Sequence, residues 1–472
     1  MTPGARIQAA IELVDQILMS WQSPRRIPAD KLLENYFKTH RYIGSKDRGA
    51  VSELVYWVLR HKAALEWWID RLDQRVHGRS YVFAAIVLRK DYNPQTILSI
   101  PKDSQFSPPP FDEHETRMIE ELARHPVRSE AEAQDPVQLD RDPAQPLRGS
   151  QDDVNMPDHV RLNYPEWMDA ALHESFPADF EAELRALNEQ ATTDLRVNTL
   201  KATREQLLAD LKEEGFEAKP TALSEVGIRL DKRGPIFTSK TFKLGHFEVQ
   251  DEGSQAVAQL VDAQPGMRVI DFCAGAGGKT LALAAAMKNK GRILAWDTSE
   301  KRLSQIVPRI RRAGVDNIQT HVITSESDAF IKRHKATADR VLVDAPCSGS
   351  GTWRRNPDLK WRFTQTDLEE VVAVQKSILQ SASRLVKKGG RLIYATCSIL
   401  KDENERQIEE LLRNSNNFRV VCAKKIWDKK VAENETSDMT SNIYGEVSFF
   451  STTPHQDGVD GFFAAVLERV QD

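Results

Sequence analysis

The chain has 472 residues, which at about 150 residues per domain indicates more than one folded domain. Its 65 Lys and Arg residues nearly balance its 69 Asp and Glu residues, and the formal net charge of −4 does not mark a nucleic-acid-binding protein by bulk electrostatics. With 40% hydrophobic and 28% charged residues, the composition excludes collagen-like and wholly disordered proteins.

Membrane segments and metal-binding cysteine patterns are missing from the sequence. No apolar stretch approaches the roughly 18 to 20 residues that cross a bilayer, so no membrane partner is expected. Four cysteines without a CxxC pair fit neither a disulfide framework nor a zinc site, and no metal site is predicted. We therefore expect a cytoplasmic protein whose thiols are free for other chemistry.

Helical patterns occupy the beginning of the chain. Apolar residues recur every three or four positions from Ile7 to Trp21 and again from Val51 to Leu72, with no alternating strand pattern between them. These patterns predict an all-helical N-terminal domain over residues 1–125.

A polar stretch with repeated proline follows at residues 126–158, and we predict an exposed acidic linker there. Residues 159–245 then predict a small α+β subdomain of the RRM-like type. The segment DLRVNTLK resembles a strand, and Thr203 and Gln206 have the spacing of a helix capping box. Gly215 is placed to end that helix.

Strand and helix patterns alternate regularly in residues 246–472. The strands are MRVIDF, GRILAWD, NIQTHVIT, RVLVDAP and GRLIYATCS. Such alternation predicts a Rossmann-like α/β domain, with a parallel sheet and helices on both faces. Ligands bind at the carboxyl ends of such strands, and the unusual residues of this sequence lie there.

A glycine-rich turn, DFCAGAGGKT at residues 271–280, follows the first of these strands. It fits neither a P-loop nor the dinucleotide fingerprint, because Cys273 and Thr280 stand where those motifs need glycine. Asp297 ends the second strand 19 residues after Gly278, which is the spacing of a carboxylate that binds ribose hydroxyls. This combination predicts S-adenosylmethionine as cofactor.

Two cysteines follow neighbouring strands, Cys347 in DAPCSG and Cys397 in ATCS. A thiol beside a methyl donor suits methylation of a pyrimidine at carbon-5. A thiolate that adds to carbon-6 makes carbon-5 nucleophilic, and the adduct is resolved when a base removes the carbon-5 proton and the thiol is eliminated. Asp344 is placed to hydrogen-bond the cytosine edge, preferably with a proton on ring nitrogen-3.

Two basic segments accompany these motifs. Residues 352–362, TWRRNPDLKWR, interleave cations with two tryptophans, a pattern that suits phosphate contact and base stacking as well as a solvated loop. The basic run on the helix after Asp297 is interpreted as a solvated face, and it comprises Lys301, Arg302, Arg309, Arg311 and Arg312.

From Tyr164 onward the sequence resembles the RNA (cytosine-5)-methyltransferase family of the RsmB type. Six motifs occur in family order: RVNTLK, VQDEGSQ, DFCAGAGGKT, DAPCSGSGTWRRNPDLKWR, YATCS and DGFFAA. The resemblance implies that Cys397 is the nucleophile and that Cys347 assists product release. The segment KDRGAVSELVYWVLR is similar to the NusB-like RNA-binding domain fused to such enzymes, which favours ribosomal RNA over transfer RNA.

Two positions depart from the family pattern. Ala276 stands where proline is common, and TSESD stands where the family has a carboxylate after the third strand, so we select Asp328 for the adenine-side contact with Glu326 as the alternative. The predicted catalytic residues are Cys397, Cys347 and Asp344. The predicted cofactor-binding residues are Cys273, Ala274, Gly275, Ala276, Gly277, Gly278, Lys279, Asp297, Asp328 and Asp344.

Other functions remain open at this point. The substrate is RNA in the leading interpretation, with ribosomal RNA preferred, transfer RNA as the alternative and no obligate protein partner evident. Uracil methylation at carbon-5 would use the same thiol chemistry. Methylation of an exocyclic amine would need no adduct, and a non-catalytic ribosome-assembly factor would need neither the cysteines nor Asp297.

Overall fold

The structure is a computed structural model that describes residues 1–124, 156–431, 443–444 and 447–471. The linker predicted at residues 126–158 lies almost wholly outside this range. The chain divides into two compact units. Unit 1 comprises Met1–Asp169 and Asn356–Arg362, and unit 2 comprises Ala170–Arg355 and Phe363–Asp472.

Unit 1 is helical, as its apolar periodicity predicts. Its helices within residues 1–169 are α1 (Pro3–Trp21), α2 (Ala29–Thr39), α3 (Ser45–Arg60), α4 (Lys62–Arg71), α5 (Gly78–Leu88), α6 (Pro94–Ser99), α7 (Glu113–Leu122) and α8 (Asp158–Arg161). Every position of α5 from Tyr81 to Leu88 is buried, because α1, α3, α4 and α7 all pack against it. A helix that is apolar on all sides thus forms the centre of this unit.

Unit 2 begins with a small antiparallel sheet. The elements are α9 (Asp169–Ser175), α10 (Phe180–Asn188), β1 (Thr193–Val197), α11 (Arg204–Glu213), β2 (Ala218–Pro220), β3 (Gly227–Leu230), α12 (Lys240–Leu244) and β4 (Phe247–Val249). The strand order is β2-β3-β1-β4. Leu195, Leu207, Ile228 and Phe247 join sheet and helices in one core, which gives the small α+β fold predicted for this region.

Helix α11 begins with the capping box that the sequence predicts. The Thr203 side chain accepts a hydrogen bond from the Gln206 N–H at 3.2 Å, and Gln206 Oε1 accepts one from the Thr203 N–H at 2.9 Å. Gly215 follows the helix with a φ of +85°, a left-handed conformation that glycine adopts without strain. Both ends of the helix are therefore encoded by neighbouring residues.

The rest of unit 2 is the Rossmann-like domain. Its helices are α13 (Glu252–Leu260), α14 (Gly278–Ala286), α15 (Glu300–Leu303), α16 (Ile306–Ala313), α17 (Ala329–Lys332), α18 (Leu359–Arg362, which belongs to unit 1), α19 (Gln365–Ser383), α20 (Glu405–Asn414), α21 (Ala423–Val431) and α22 (Pro454–Asp457). Its strands are β5 (Arg268–Asp271), β6 (Arg292–Asp297), β7 (Ile318–Val322), β8 (Ala338–Asp344), β9 (Val386–Thr396), β10 (Phe418–Val421), β11 (Ile443–Tyr444), β12 (Val447–Ser448), β13 (Phe450–Thr452) and β14 (Phe462–Arg469).

The main sheet has the order β10-β14-β9-β8-β5-β6-β7, with β13 paired to β14. Strands β5 to β9 are parallel, as predicted, whereas β14 runs antiparallel between β9 and β10. Helices α19 and α20 bury side chains against one face, and α13, α14 and α21 do so against the other. The layered α/β architecture of the sequence prediction is confirmed.

The order of the strands fixes where a ligand binds. From β5 the chain continues through β6 and β7 to one side, and β8 and β9 lie on the other side. The crevice outside the carboxyl ends of β5 and β8 is therefore a topological switch point, the preferred ligand position in such sheets. Among the residues that the structure describes, no helix has both the length and the apolar character to cross a membrane.

The capping box of α11 gives a first test. Replacing Thr203 with Ala removes the acceptor for the Gln206 N–H and should lower the free energy of unfolding by about 0.5 to 2 kcal/mol. Thr199→Ala, at an exposed threonine before this helix, is the matched control and should change stability little. Denaturant unfolding of both variants measures the difference, and equal stabilities would contradict the capping role.

Candidate active site

The glycine-rich turn between β5 and α14 is shaped for close approach by a ligand. Gly275 and Gly277 have φ values of +55° and +83°, the left-handed region that favours glycine. A Cβ atom on Gly277 would lie 2.2 Å from a side-chain carbon of Ile306, so no other residue fits there. The turn thus exposes backbone where side chains would otherwise stand.

Asp297, at the carboxyl end of β6, is tied to this turn. Its buried carboxylate accepts hydrogen bonds from the Gly275 N–H at 2.8 Å and from the Ser299 N–H at 2.7 Å. The structure therefore places Asp297 beside the glycine-rich turn, as predicted from their spacing in the sequence. Its role as the ribose ligand stays a prediction.

Asp271, at the end of β5 beside the glycine-rich turn, has a side-chain oxygen without a hydrogen-bond partner among the described residues. Its buried Oδ2 accepts a hydrogen bond from the Thr280 hydroxyl at 2.7 Å, whereas Oδ1 has no hydrogen-bond partner among the described residues. Burial raises the pKa of the Asp271 carboxyl to about 7. A buried, unpaired acceptor beside a glycine turn and Asp297 fits a ligand with an amine at one end and hydroxyls further along, as S-adenosylmethionine has.

Lys279 and Asp344 form an ion pair across the switch point. Lys279 Nζ lies 2.9 Å from Asp344 Oδ1, and the Asp344 side chain is 33% exposed. Burial opposes the charge of the Lys279 ammonium, but Asp344 outweighs it and raises the pKa of Lys279. A negative charge on Cys397 would act in the same direction. From the sequence, Lys279 is assigned to the turn alone, and this pairing was not predicted.

The two cysteines are in contact. Cys347 follows β8, Cys397 follows β9, and their sulfur atoms are 3.4 Å apart. The hydrogen bond to the Cys397 sulfur, together with burial, raises the pKa of the Cys347 thiol well above its ordinary value. Cys347 therefore keeps its proton at neutral pH, and either sulfur can be the donor of the pair.

Cys273, the third cysteine at this edge, is in a different environment. Burial, followed by the charges of Asp271 and Asp344, raises the pKa of its thiol well above the ordinary value. A thiol that stays protonated is a poor nucleophile. Its place inside the turn is consistent with packing rather than with covalent chemistry.

The carboxylates after β7 have partners within the protein. Asp328 accepts hydrogen bonds from the Thr324 N–H and hydroxyl and from the Phe330 N–H, and these bonds lower the pKa of Asp328 to about 2. Glu326 accepts one from the Ser377 hydroxyl at 2.8 Å. Asp328 thus orders its own loop, and its contact with the adenine side remains a prediction.

The basic helix after Asp297 is only partly a solvated face, so that interpretation needs correction. Arg309 and Arg312 both pair with Glu248. Arg309 also donates a hydrogen bond to the Ala276 carbonyl at 2.6 Å. These arginines hold the glycine-rich turn and the small sheet together, a role that their spacing on a helix does not reveal.

The prediction that residues 352–362 grip RNA is wrong for its central cations. In unit 2, Arg354 is buried and Arg355 pairs with Asp251 and Asp460. In unit 1, the Lys360 ammonium is buried and donates hydrogen bonds to two main-chain carbonyls, and burial lowers the pKa of Lys360 well below its ordinary value. The charges of Arg355 and Lys360 serve the fold, because protein acceptors contact them.

Comparison with known proteins assigns this site to a family. A model described as 16S rRNA methyltransferase RsmB/F matches residues 258–468, and a Methyltr_RsmF/B-like, ferredoxin-like domain matches residues 164–237. A ribosomal RNA small subunit methyltransferase B of Yersinia pseudotuberculosis is 30% identical over 427 residues, which cover 90% of this chain and 91% of the relative. The chain belongs to the RsmB/F methyltransferase family.

Further members agree with this assignment. A probable ribosomal RNA small subunit methyltransferase B of Synechocystis is 32% identical over 314 residues, or 66% of this chain and 67% of the relative. A methyltransferase homologue from Pyrococcus horikoshii of known structure superposes with a TM-score of 0.55 and 27% identity, covering 66% of this chain and 97% of the homologue. The predictions of an RsmB/F-type methyltransferase, a Rossmann-like fold and S-adenosylmethionine as cofactor are confirmed.

The cofactor assignment of Asp297 is testable. Replacing Asp297 with Ala should weaken binding of S-adenosylmethionine by about 1 to 3 kcal/mol, because ribose hydroxyls would lose a buried acceptor. Isothermal calorimetry measures this, with Asp316→Ala at an exposed position after α16 as control. Since Asp297 also binds the Gly275 N–H, circular dichroism must show that the variant is folded. Unchanged affinity in a folded variant would refute the assignment.

Proposed function

We propose that this protein methylates carbon-5 of cytosine in 16S ribosomal RNA through a covalent adduct with Cys397. One observation carries the proposal: two cysteine sulfurs lie 3.4 Å apart at the switch point, in the domain that also holds the Lys279–Asp344 pair. The relatives named for the small ribosomal subunit support this RNA as substrate.

Chemistry at carbon-5 explains why a thiol is needed. This carbon is a poor nucleophile until the Cys397 sulfur bonds to carbon-6 and breaks the double bond between carbons 5 and 6. Carbon-5 then takes the methyl group, which S-adenosylmethionine supplies in electrophilic form. Loss of the carbon-5 proton to a base restores the double bond and expels the Cys397 sulfur, so the thiolate is regenerated.

Lys279 and Asp344 prepare this attack. The Asp344 carboxylate accepts hydrogen bonds from the cytosine amine and a protonated ring nitrogen-3, which withdraws electrons from carbon-6. The Lys279 ammonium stabilises negative charge on the attacking sulfur. The Lys279 side chain is buried and the Asp344 side chain is partly buried, so their interactions are stronger than those between charges in bulk water.

Cys347 has a later role in this scheme. Because it holds its proton in the free enzyme, it does not compete with Cys397 for carbon-6. When Cys397 binds carbon-6, Cys347 is at the reacting ring and assists removal of the carbon-5 proton and release of the product. Methylation of an exocyclic amine needs no covalent adduct and therefore does not explain this pair of thiols.

The remaining parts of the proposal concern RNA binding and location. We infer that the helical residues 1–125 form a NusB-like RNA-binding domain and that residues 246–472 carry out the chemistry. The RNA substrate implies action in the cytoplasm. The names of the relatives give no support for transfer RNA as the substrate. Bisulfite sequencing of total RNA from a deletion strain distinguishes the proposed function from transfer RNA methylation and from uracil methylation.

A surface on the small subdomain replaces residues 352–362 as the candidate RNA contact. Phe237 is 61% exposed, and its ring packs perpendicular to that of Phe242 with the ring centroids 5.2 Å apart, so the exposed ring is supported from within the protein. Exposed Lys232, Lys240 and Lys243 surround it in sequence, and no Asp or Glu occurs at residues 232–247. Lysines around an exposed aromatic ring suit phosphate contact and base stacking.

This surface predicts a change in salt dependence. Replacing Lys240 and Lys243 with Ala should reduce the slope of log affinity against log salt by about 0.7 to 0.9 for each phosphate that is no longer neutralised, because fewer counterions are released. The double variant Lys288→Ala/Lys290→Ala, in the exposed connection between α14 and β6, is the matched control. Filter binding to a 16S RNA fragment over a salt series measures the slope, and identical slopes for both variants would contradict the surface.

Replacement of either cysteine should interrupt the reaction, but at a different step for each. Cys397→Ala removes the nucleophile, so methylation and any covalent protein–RNA species should both disappear. Cys347→Ala leaves attack and methyl transfer intact but slows release, so protein should remain attached to RNA on a denaturing gel. Incorporation of labelled methyl groups into RNA, followed in parallel, measures attack and methyl transfer separately from product release.

Two results would contradict these roles. A covalent complex with Cys397→Ala but not with Cys347→Ala would mean that the roles are reversed. Full activity in both variants would refute covalent catalysis, and amine methylation would then replace it.

A further inference from the structure

Glu403, between β9 and α20, is a fully buried carboxylate that the reaction scheme does not use. Its side chain is 0% exposed, and no Lys or Arg pairs with it in the described part of the chain. Burial of an unpaired charge is unfavourable unless hydrogen bonds compensate for the lost water. The hydrogen bonds of Glu403 therefore indicate what the carboxylate does.

Those hydrogen bonds connect the two cysteine-bearing turns. Oε1 accepts from the Ser348 N–H at 2.7 Å, and Oε2 accepts from the Ser348 hydroxyl at 2.5 Å and from the Ser398 hydroxyl. Ser348 directly follows Cys347, and Ser398 directly follows Cys397. A single carboxylate thus binds the next residue of each cysteine.

Gln375 of α19 completes the connection from a third element. Its Nε2 donates to Glu403 Oε1 at 3.0 Å and to the Pro346 carbonyl at 2.8 Å. Cys347 is therefore fixed on both sides, through Pro346 before it and Ser348 after it. The turn has little freedom to move its sulfur away from Cys397.

We propose that Glu403 is a positioning residue that holds the Cys347 and Cys397 sulfurs in contact, so that both sulfurs reach the same cytosine ring. This inference rests on the proposed function for the role of the two sulfurs at the ring, whereas the positioning of the sulfurs is independent of it. Glu403 does not touch the substrate. Its charge also opposes ionisation of Cys347, which raises the pKa of that thiol and keeps its proton in place before attack.

The geometry is tested without RNA by cross-linking the thiols. Diamide oxidises two thiols in contact to a disulfide and takes up the two electrons and two protons that they lose. Wild-type protein should form the Cys347–Cys397 disulfide rapidly, and Glu403→Gln, which keeps the size but loses an acceptor, should form it about tenfold more slowly because the turns are released. Glu405→Gln, a half-buried glutamate that binds neither serine, is the matched control.

The functional half is tested on the same variants. Glu403→Gln should bind S-adenosylmethionine as wild type does, yet methylate RNA about 100-fold more slowly, since displacement of a reacting group by about 1 Å has such an effect. In a Cys397→Ala background, alkylation of Cys347 by iodoacetamide should begin at lower pH in Glu403→Gln than with Glu403 intact, because the opposing charge is gone. A merely structural glutamate would not shift this pH profile.

Each outcome decides the proposal. Wild-type cross-linking and methylation in Glu403→Gln would overturn it, as would an equal loss in the Glu405→Gln control. If Glu403→Gln does not fold, Ser398→Ala, which removes the hydroxyl that links Glu403 to the Cys397 turn, must reproduce slow cross-linking, and wild-type cross-linking there would overturn the proposal. If Cys397→Ala retains methylation, the proposed covalent mechanism fails, but the diamide rates still decide whether Glu403 positions the sulfurs.

Discussion

The site depends on the parallel pairing of β8 with β9. Their hydrogen bonds bring Asp344 opposite Ala395, so the two strands leave the sheet side by side at the same edge. Cys347 stands three residues beyond the first of these positions and Cys397 two beyond the second. Because the spacing of neighbouring strands is about 4.8 Å, turns of this length can bring the sulfurs into contact. Any shift of this register would separate them.

Features that depend on neighbours in the chain could be predicted from the sequence. The Thr203 capping box, the strand–helix alternation and the cysteines at strand ends are all local patterns. The antiparallel position of β14 was not predicted, since lateral strand order is decided by packing of the whole sheet. Glu403 was also missed, because in the sequence KDENERQ it resembles an exposed acid at the start of a helix. Its hydrogen-bond partner Ser348 lies 55 positions away in the sequence.

The basic residues show where local patterns mislead. Lys360 looks like a solvent-exposed cation in sequence, but main-chain carbonyls from distant residues surround it in unit 1. Such acceptors have no signature in the sequence, since every residue has a carbonyl. Lys240 and Lys243 are exposed, although cations and aromatic residues do not alternate around them as clearly as in TWRRNPDLKWR. Charge composition therefore predicts an RNA surface poorly unless burial is known.

The unpaired oxygen of Asp271 couples the cofactor site to solution pH. With a pKa of about 7, this carboxyl is protonated in a large part of the free protein at neutral pH. An amine cation beside Oδ1 favours the ionised form, so binding must expel a proton below that pH, and affinity should rise as the pH approaches 7 and then level off. Calorimetry in buffers of different ionisation enthalpy measures the proton released.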